Sequence, residues 1–188
     1  MRLWLIRHPR PDIAGGVCYG QADLAPAAGE IERVLAALAG RLPAAPLWAS
    51  PLLRCRLLAE QLAPGRVHYD ARLMEMHFGT WELCRWDDID RAAIDAWAAA
   101  PATYRPGGAE SLAGMAQRLA DWVAELAAAG EQQEVVVVCH AGSMRLLAML
   151  ARGLSPQDAA QEAAAVQHAI DYGALRVVDF PIREASHG

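Results

Sequence analysis

The strongest constraint on the fold is a pair of short apolar runs, at residues 3–6 and 135–139, each followed closely by a histidine. Both runs are nearly continuous and rich in branched side chains, which is typical of strands covered on both faces. Arg7 and His8 follow the first run, and His140 follows the second. The two runs are therefore expected to be buried strands whose ends carry polar groups.

Weaker strand patterns occur at residues 47–50, 67–69 and 174–180, and helical patterns lie between them. The clearest helix is predicted to begin after Ser111 as its N-cap and to end at Gly130. Its apolar stripe has alternating steps of three and four and consists of Leu112, Met115, Leu119, Trp122 and Leu126. Strands that alternate with helices predict a layered α/β domain with a largely parallel sheet.

Length and composition favour one domain over residues 1–188, because 54% apolar residues can bury a sizeable core. The net charge of -5 argues against general affinity for nucleic acid or acidic membranes, which requires broad basic surfaces. The first apolar run is too short for a signal-peptide core, and no run approaches the roughly 18 residues of a membrane span. We expect a cytoplasmic protein without nucleic-acid or membrane partners.

Residues 78–111 contain several prolines and glycines and are predicted to leave the sheet as an excursion, a candidate lid. Its tryptophans are expected to pack against the core rather than to stack on a base. These are Trp81, Trp86 and Trp97.

The four widely spaced cysteines are expected to be free thiols. No role is assigned to His68, His77, His168 or His187.

Chemistry is expected at the carboxyl ends of the strands, where open α/β sheets bind ligands. Arg7, His8 and His140 lie at two such ends, and Arg54 follows a third strand pattern. The planar fork of arginine suits a phosphoryl group because it makes two parallel hydrogen bonds and stays charged. The helix start at Ala141 adds backbone N–H groups that favour an anion. Two arginines and two histidines would thus converge on one small dianion.

Four motifs, in this order, resemble the histidine phosphatase superfamily, also called the phosphoglycerate mutase-like family. They read LWLIRH, SPLLR, LMEMHFGTWE and VVVVCHAG, and they extend along nearly the whole chain. The resemblance implies a three-layer α/β/α sandwich with a mostly parallel central sheet. It also implies a phosphoric monoester hydrolase that needs no cofactor and no metal.

Carried over residue by residue, the resemblance makes His8 the residue that becomes phosphorylated. Arg7, Arg54 and a protonated His140 would bind the phosphoryl oxygens, and Glu75 would donate a proton to the leaving group. Because His8 must attack as a neutral ring, its other nitrogen is expected to donate to a backbone carbonyl that fixes the tautomer. Glu82 is expected to be structural, and Glu110 and Ser111 are given no chemical role.

The loop at residues 9–23 departs from the usual family pattern, since Pro9 stands where a glycine is common. Its RHPRP and GVCYGQAD stretches resemble a subgroup associated with α-ribazole phosphatase of cobalamin biosynthesis. Tyr19, Gly20 and Gln21 are expected to face the organic part of the substrate, Tyr19 by stacking and Gln21 by hydrogen bonding. Packing of Tyr19 beneath the loop is the alternative.

Other functions stay open at this point. Within the family, the alternatives are a phosphoglycerate mutase and a broad-specificity sugar-phosphate phosphatase. A metal enzyme with His8, His140 and Glu75 as ligands is disfavoured, because Arg7 and Arg54 would repel a cation. A non-catalytic phosphate-binding module is disfavoured because binding alone needs no proton donor. The expected ligand is a small-molecule phosphate monoester, and the oligomeric state is left open.

Overall fold

The computed structural model describes residues 1–130, 133–166 and 169–181, so His168 and His187 lie outside the described residues. In this part of the chain, five strands form one sheet in the order β3-β2-β4-β1-β5. They are β1 (Arg2–Arg7), β2 (Leu47–Ala49), β3 (Val67–Tyr69), β4 (Glu134–Cys139) and β5 (Leu175–Asp179). Four of them are parallel, and β5 runs antiparallel to β1 at one edge.

The two central strands are buried on both faces, as their continuous apolar runs predict. Leu3 and Leu5 of β1 pack into one core with Val135 and Val137 of β4. The alternate residues, among them Ile6, pack into a second core on the other face. Each strand therefore separates two cores, and the ends of β1 and β4 are held side by side by a register that pairs Arg7 with Cys139.

Helices cover both faces of the sheet and make the fold a three-layer α/β/α sandwich with a mostly parallel sheet. On one side lie α1 (Glu30–Leu38) and α2 (Leu53–Leu62). On the other side lie α4 (Leu112–Ala128), α5 (Ala141–Ala151) and α6 (Pro156–Ala165), which follow α3 (Arg91–Ala99) of the excursion in chain order. The predicted stripe of α4 faces the core, and Ser111 caps its start by accepting a hydrogen bond from the Gly114 N–H at 3.1 Å.

The excursion at residues 78–111 adds no strand to the sheet and contains α3 (Arg91–Ala99) with three short 3-10 turns. Its aromatic residues pack on one another at ring distances between 5.8 and 6.5 Å, and of the tryptophans expected to pack against the core, Trp97 does so together with Phe78. The aromatic residues of the excursion are Phe78, Trp81, Trp86, Trp97 and Tyr104. Gly79 and Gly107 hold positive φ and touch so closely that a Cβ on Gly107 would lie 2.0 Å from the Phe78 carbonyl oxygen.

The four cysteines are free thiols, as predicted. Cys139 ends β4 and is fully buried beside the core. Burial raises the pKa of Cys55 to about 12, so this thiol stays protonated and unreactive near neutral pH. None of the helices in the described ranges is both long and apolar enough to cross a bilayer.

Candidate active site

His8 follows β1 directly and lies between the two central strands, because its N–H donates to the Cys139 carbonyl at 2.9 Å. Its Nδ1 lies 2.7 Å from the Pro9 carbonyl oxygen, which can only accept, so Nδ1 carries the hydrogen and Nε2 keeps its lone pair. Burial, together with the positive charges of Arg54 and Arg7, lowers the pKa of His8 well below its usual value. The ring is therefore neutral, with one nitrogen available for attack on an electrophile.

His140 follows β4, and its ring centroid lies 5.0 Å from that of His8. Its Nε2 lies 2.9 Å from the Ser50 hydroxyl at the end of β2. Burial first, and then the charge of Arg54, lower the pKa of His140 well below its usual value. Without a ligand, this environment favours a neutral His140 ring, so the protonated form that we expect from sequence needs nearby negative charge, such as a phosphoryl dianion supplies.

The two arginines are held by backbone carbonyls rather than by carboxylates. Arg54, fully buried on α2, donates from Nη1 to the Ala22 carbonyl at 2.8 Å and from Nη2 to the Gly20 carbonyl. Arg7 donates from Nη1 to the Ile170 carbonyl. Neither arginine forms an ion pair with any carboxylate of the described residues. Their positive charges are thus left without a negative partner from this part of the protein.

Three buried nitrogens next to His8 have no hydrogen-bond partner in the described part of the chain. They are Arg7 Nε, Arg54 Nε and His140 Nδ1. A buried donor that lacks a partner costs stability, and buried charges are normally paired. The two arginine nitrogens are donors that could bind an anion beside the neutral His8 ring, whereas the role of His140 Nδ1 depends on its tautomer.

Glu75 lies across the cavity and is anchored at the start of α5. Its Oε2 accepts the Gly142 N–H at 3.0 Å, and its Oε1 accepts the Met76 N–H at 3.0 Å. A Cβ on Gly142 would lie 2.1 Å from Glu75 Oε1, so only glycine permits this approach. Sequence reasoning placed Gly142 after the strand but missed this contact, for which the HAG motif was the available signal.

The segment that carries Glu75 is fixed from behind by Arg118 of α4. Arg118 donates to the Met74 carbonyl at 2.8 Å and to the Glu75 carbonyl at 3.0 Å. Its charge is balanced by Glu110, whose Oε1 accepts from Arg118 Nε at 2.7 Å. Sequence reasoning missed Arg118 because the helical stripe gave no sign of its carbonyl partners at Met74 and Glu75, which lie more than 40 positions away along the chain.

The loop at residues 20–22 is organised around the Glu82 carboxylate. Backbone N–H groups of Gly20, Gln21, Ala22 and Phe78 all donate to it at 2.9 to 3.0 Å. Burial raises the pKa of Glu82, but these four hydrogen bonds outweigh it and lower the pKa below its usual value. Glu82 thereby fixes the carbonyls that hold Arg54.

Gly20 and Gln21 do not face the cavity, in contrast to the sequence-based expectation. Gly20 packs so tightly that a Cβ would lie 1.9 Å from the Met76 carbonyl oxygen. The Gln21 side chain donates to the Glu75 carbonyl at 3.0 Å, on the far side of that segment. Both residues stabilise the loop, because their polar groups form hydrogen bonds with Glu82, Arg54 and Glu75.

Tyr19 does line the cavity, and its hydroxyl lies 2.7 Å from that of Tyr172. Tyr172 was not identified from sequence, since no motif surrounds it and 153 positions separate the two tyrosines. The cavity has a volume of about 360 Å³, with Arg7, His8, Arg54 and Glu75 at its polar end. Ala141, Gly142 and Arg145 of α5 also line it. The apolar residues of the lining, called the apolar wall below, are Met76, Phe78, Trp97, Pro101, Leu112 and Ala164.

The carboxylates and histidines of the site are not grouped as metal ligands. Within residues 1–130, 133–166 and 169–181, no three His, Cys, Asp or Glu side chains are arranged to hold an ion. Arg7 and Arg54 also place positive charge beside both histidines. The geometry therefore fits an anion and not a cation.

Together, these elements define an α/β protein with a cavity that is lined by Arg7, Arg54 and a neutral His8 at the carboxyl ends of its strands. The chain belongs to the histidine phosphatase superfamily (branch 1), whose sequence model matches residues 3–180. Members of this superfamily are phosphatases and mutases. The resemblance inferred from the four motifs is thus confirmed.

Individual relatives carry different names. The adenosylcobalamin/alpha-ribazole phosphatase of Salmonella typhimurium is 28% identical over 156 residues, which are 78% of this chain and 77% of the relative. A phosphoglycerate mutase from Thermus thermophilus superposes with a TM-score of 0.72 at 27% identity, covering 97% of this chain and 95% of the mutase. A mycobacterial glucosyl-3-phosphoglycerate phosphatase gives a TM-score of 0.71 at 28% identity, covering 85% and 83% of the two chains. The phosphoglycerate mutase-like fold is therefore confirmed.

Proposed function

We propose that this chain is a phosphomonoesterase that acts through a phosphohistidine at His8. The observation that carries the proposal is the neutral His8, with Nδ1 bound to Pro9, among three buried nitrogens that lack partners in the described part of the chain. A phosphoryl group bound by those nitrogens would present its phosphorus to His8 Nε2. Phosphoryl transfer gains most from alignment and from stabilising charge on the equatorial oxygens, and both are available here.

The reaction has two balanced steps. In the first, Nε2 of His8 forms a bond to phosphorus while the ester P–O bond breaks, and the protonated carboxyl of Glu75 gives its proton to the leaving oxygen. In the second, water attacks phosphorus, the P–N bond breaks, and Glu75 takes the proton of the water. Inorganic phosphate leaves, and His8 returns to its neutral form.

The first test is detection of the covalent intermediate. Brief incubation with a phosphatase substrate labelled in its phosphoryl group should label the protein, and the label should be labile in acid and stable in alkali. His8→Ala should not be labelled, whereas His68→Ala, at an exposed site on β3, should be labelled like the wild type. Label that survives acid, or that persists in His8→Ala, would refute the proposal.

A second test addresses Glu75. Glu75→Gln removes the transferable proton but keeps the size of the side chain, so esters with poor leaving groups should be slowed much more than esters with good ones. Rates of aryl and alkyl phosphates give the comparison. Equal losses on both classes would remove Glu75 from the role of proton donor. Loss of activity on treatment with a chelator, and its recovery on addition of a metal ion, would favour the metal enzyme instead.

For the substrate, we favour α-ribazole 5′-phosphate or its cobamide-linked form in cobalamin biosynthesis. Support comes from the loop at residues 9–23, from the names of curated relatives, and from the apolar wall of the cavity, which suits a planar aromatic base. A three-carbon phosphate with a carboxylate would leave that wall without a ligand. The apolar wall thus favours the larger, aromatic substrate.

The second candidate is a phosphorylated acid, as acted on by a phosphoglycerate mutase or a related phosphatase. It is favoured by the names of two structural relatives, a phosphoglycerate mutase and a glucosyl-3-phosphoglycerate phosphatase, and Arg145 is a cation on the cavity wall. The two candidates are distinguished by measuring kcat/KM on a panel that includes α-ribazole 5′-phosphate, 3-phosphoglycerate and sugar phosphates. Arg145→Gln should lower kcat/KM only for the acid substrate if that candidate is correct. Similar kcat/KM across the panel would indicate a broad-specificity phosphatase.

A further inference from the structure

The two arginines of the site are joined by a pair of tyrosines. Arg7 Cζ lies 3.8 Å from the ring centroid of Tyr172, and Arg54 Cζ lies 5.4 Å from that of Tyr19. The tyrosine hydroxyls are 2.7 Å apart and share one hydrogen bond. A continuous chain therefore runs from one guanidinium to the other, and the Tyr172 ring also lies 5.6 Å from that of His8.

Aromatic contact suits an arginine that must bind a ligand. The N–H donors of guanidinium lie in its plane, so a ring against its face restrains that plane without using a donor. Cation–π attraction is strongest where water is excluded, and the Arg54 side chain is fully buried. The Nε donors of Arg7 and Arg54, which lack partners among the described residues, stay available for an anion.

Tyr172 is held in place by contacts that involve its backbone and its neighbour. Its carbonyl accepts a hydrogen bond from Arg33 of α1 at 3.1 Å. The Gly173 N–H donates to the Arg7 carbonyl at 3.1 Å, and a Cβ on Gly173 would lie 2.6 Å from a methyl group of Val34. These contacts fix the backbone at Tyr172, and the side chain contacts Arg7 through its ring and Tyr19 through its hydroxyl.

The hydroxyl link persists over a wide pH range. Burial, and then the hydrogen bond to Tyr172, raise the pKa of Tyr19 above its usual value. The phenol consequently keeps its proton wherever a phosphatase would work. Tyr19 is in turn tied to the Glu82 loop, because the Gly20 N–H donates to Glu82 at 2.9 Å.

We propose that Tyr172 is a positioning residue that, through its hydroxyl bond to Tyr19, couples Arg7 to Arg54 so that both guanidiniums bind the same phosphoryl group. The proposal rests on the proposed function, since it assigns both arginines to one phosphate. It assigns Tyr19 to the arginines and not to stacking on the organic part of the substrate. Loss of either ring or of the shared hydrogen bond then weakens phosphate binding at the site.

The test measures the affinity of the full-length protein for inorganic phosphate by calorimetry. Tyr172→Phe and Tyr19→Phe each remove the hydroxyl link but keep the ring, and each should weaken phosphate binding by about fivefold. The double Phe variant should bind no more weakly than the single variants, because all of them lose the same bond. Tyr172→Leu also removes the ring from Arg7 and should weaken binding by about thirtyfold.

Tyr69→Phe is the matched control. Tyr69 is an exposed tyrosine whose hydroxyl donates to Glu60 at 3.1 Å, outside the site, so its loss should leave phosphate affinity unchanged. Phe variants that bind phosphate as tightly as the wild type would overturn the proposal, even if Tyr172→Leu binds weakly or fails to fold. Additive losses in the double variant would also overturn it. Failure of the phosphatase proposal is seen separately, as a wild-type protein that binds phosphate without labelling His8.

Discussion

Gly142 sets the position of the proposed proton donor. It is the second residue of α5, and its N–H donates to Glu75 Oε2 at 3.0 Å. Any side chain there would overlap Glu75, because the Cβ would lie 2.1 Å from Oε1. The approach of a helix N-terminus to a carboxylate therefore depends on the absence of a single methyl group.

We predict that Gly142→Ala displaces Glu75 and slows esters with poor leaving groups at least about tenfold, as expected for a misplaced general acid. Esters with good leaving groups should be affected little. Gly114→Ala is the matched control, since it lies in the first turn of α4 and its Cβ would meet Ser111 Oγ at 3.4 Å, an acceptable contact. Steady-state rates on aryl and alkyl phosphates distinguish the two variants. Equal behaviour of both would contradict the positioning of Glu75 by Gly142.

At this scale, sequence motifs located the residues of the polar end of the cavity but not the partners that orient them. His8, His140 and Arg54 each follow a strand, so their convergence at one edge was predictable from the chain direction alone. Tyr172 and Arg118 contact the site through tertiary packing between distant segments. No local pattern encodes such contacts, and they became visible only in the fold.

Among the structural elements, the loop at residues 20–22 shows how one carboxylate organises a segment. Glu82 binds three consecutive N–H groups of the loop and that of Phe78. The same loop presents the carbonyls of Gly20 and Ala22 to Arg54. Glu82 therefore affects the proposed phosphate site indirectly, because it fixes the loop backbone whose carbonyls hold Arg54.

We predict that Glu82→Gln lowers the free energy of unfolding by about 1–3 kcal/mol, because one carboxylate oxygen becomes an NH₂ group that cannot accept the loop N–H groups. Phosphate affinity should also fall, since Arg54 loses its fixed carbonyls. Urea unfolding and calorimetry measure the two effects. Glu60→Gln, on the exposed side of α2, is the control and should change neither quantity appreciably. A stable variant with normal phosphate affinity would show that the loop holds its shape without the charge.

Hydrophobic periodicity predicted which helices and strands exist better than it predicted how they are arranged in the fold. The stripe of α4 and the buried runs of β1 and β4 were correct because a whole face must be apolar to be buried. The last strand was found at Leu175–Asp179, one residue shorter at each end than the predicted pattern. Its antiparallel direction at the sheet edge depends on the path of the preceding connection, which hydrophobic pattern does not specify.

For the molecule as a whole, two buried histidines make stability depend on pH. The folded state holds His8 and His140 neutral, with pKa values well below the usual 6.5. The unfolded chain takes up a proton on each as the pH falls through that value, and the folded chain does not. Above the usual histidine pKa, the two histidines therefore do not change the free energy of unfolding with pH. Below it, that free energy falls as the pH falls.

We predict a fall in the free energy of unfolding of up to about 1.4 kcal/mol per pH unit for each histidine below the usual histidine pKa. Urea unfolding between about pH 7 and about pH 5.5 measures the slope, above the range in which carboxylates titrate. His140→Gln should reduce the slope by about half, because one of the two titrations is removed. His68→Gln, at an exposed position, should keep the wild-type slope. An unchanged slope in His140→Gln would contradict a neutral, buried His140.

The carbonyl partners of Arg7 and Arg54 have a consequence for turnover in the cell. Among the described residues, only neutral carbonyl oxygens accept hydrogen bonds from these two side chains, so a phosphate dianion that enters gains from their charges, whether or not it carries an ester group. The product of the proposed reaction is then also an inhibitor that competes with the substrate. Flux through such an enzyme follows the ratio of ester to free phosphate, so phosphate-rich conditions slow it without any regulatory site.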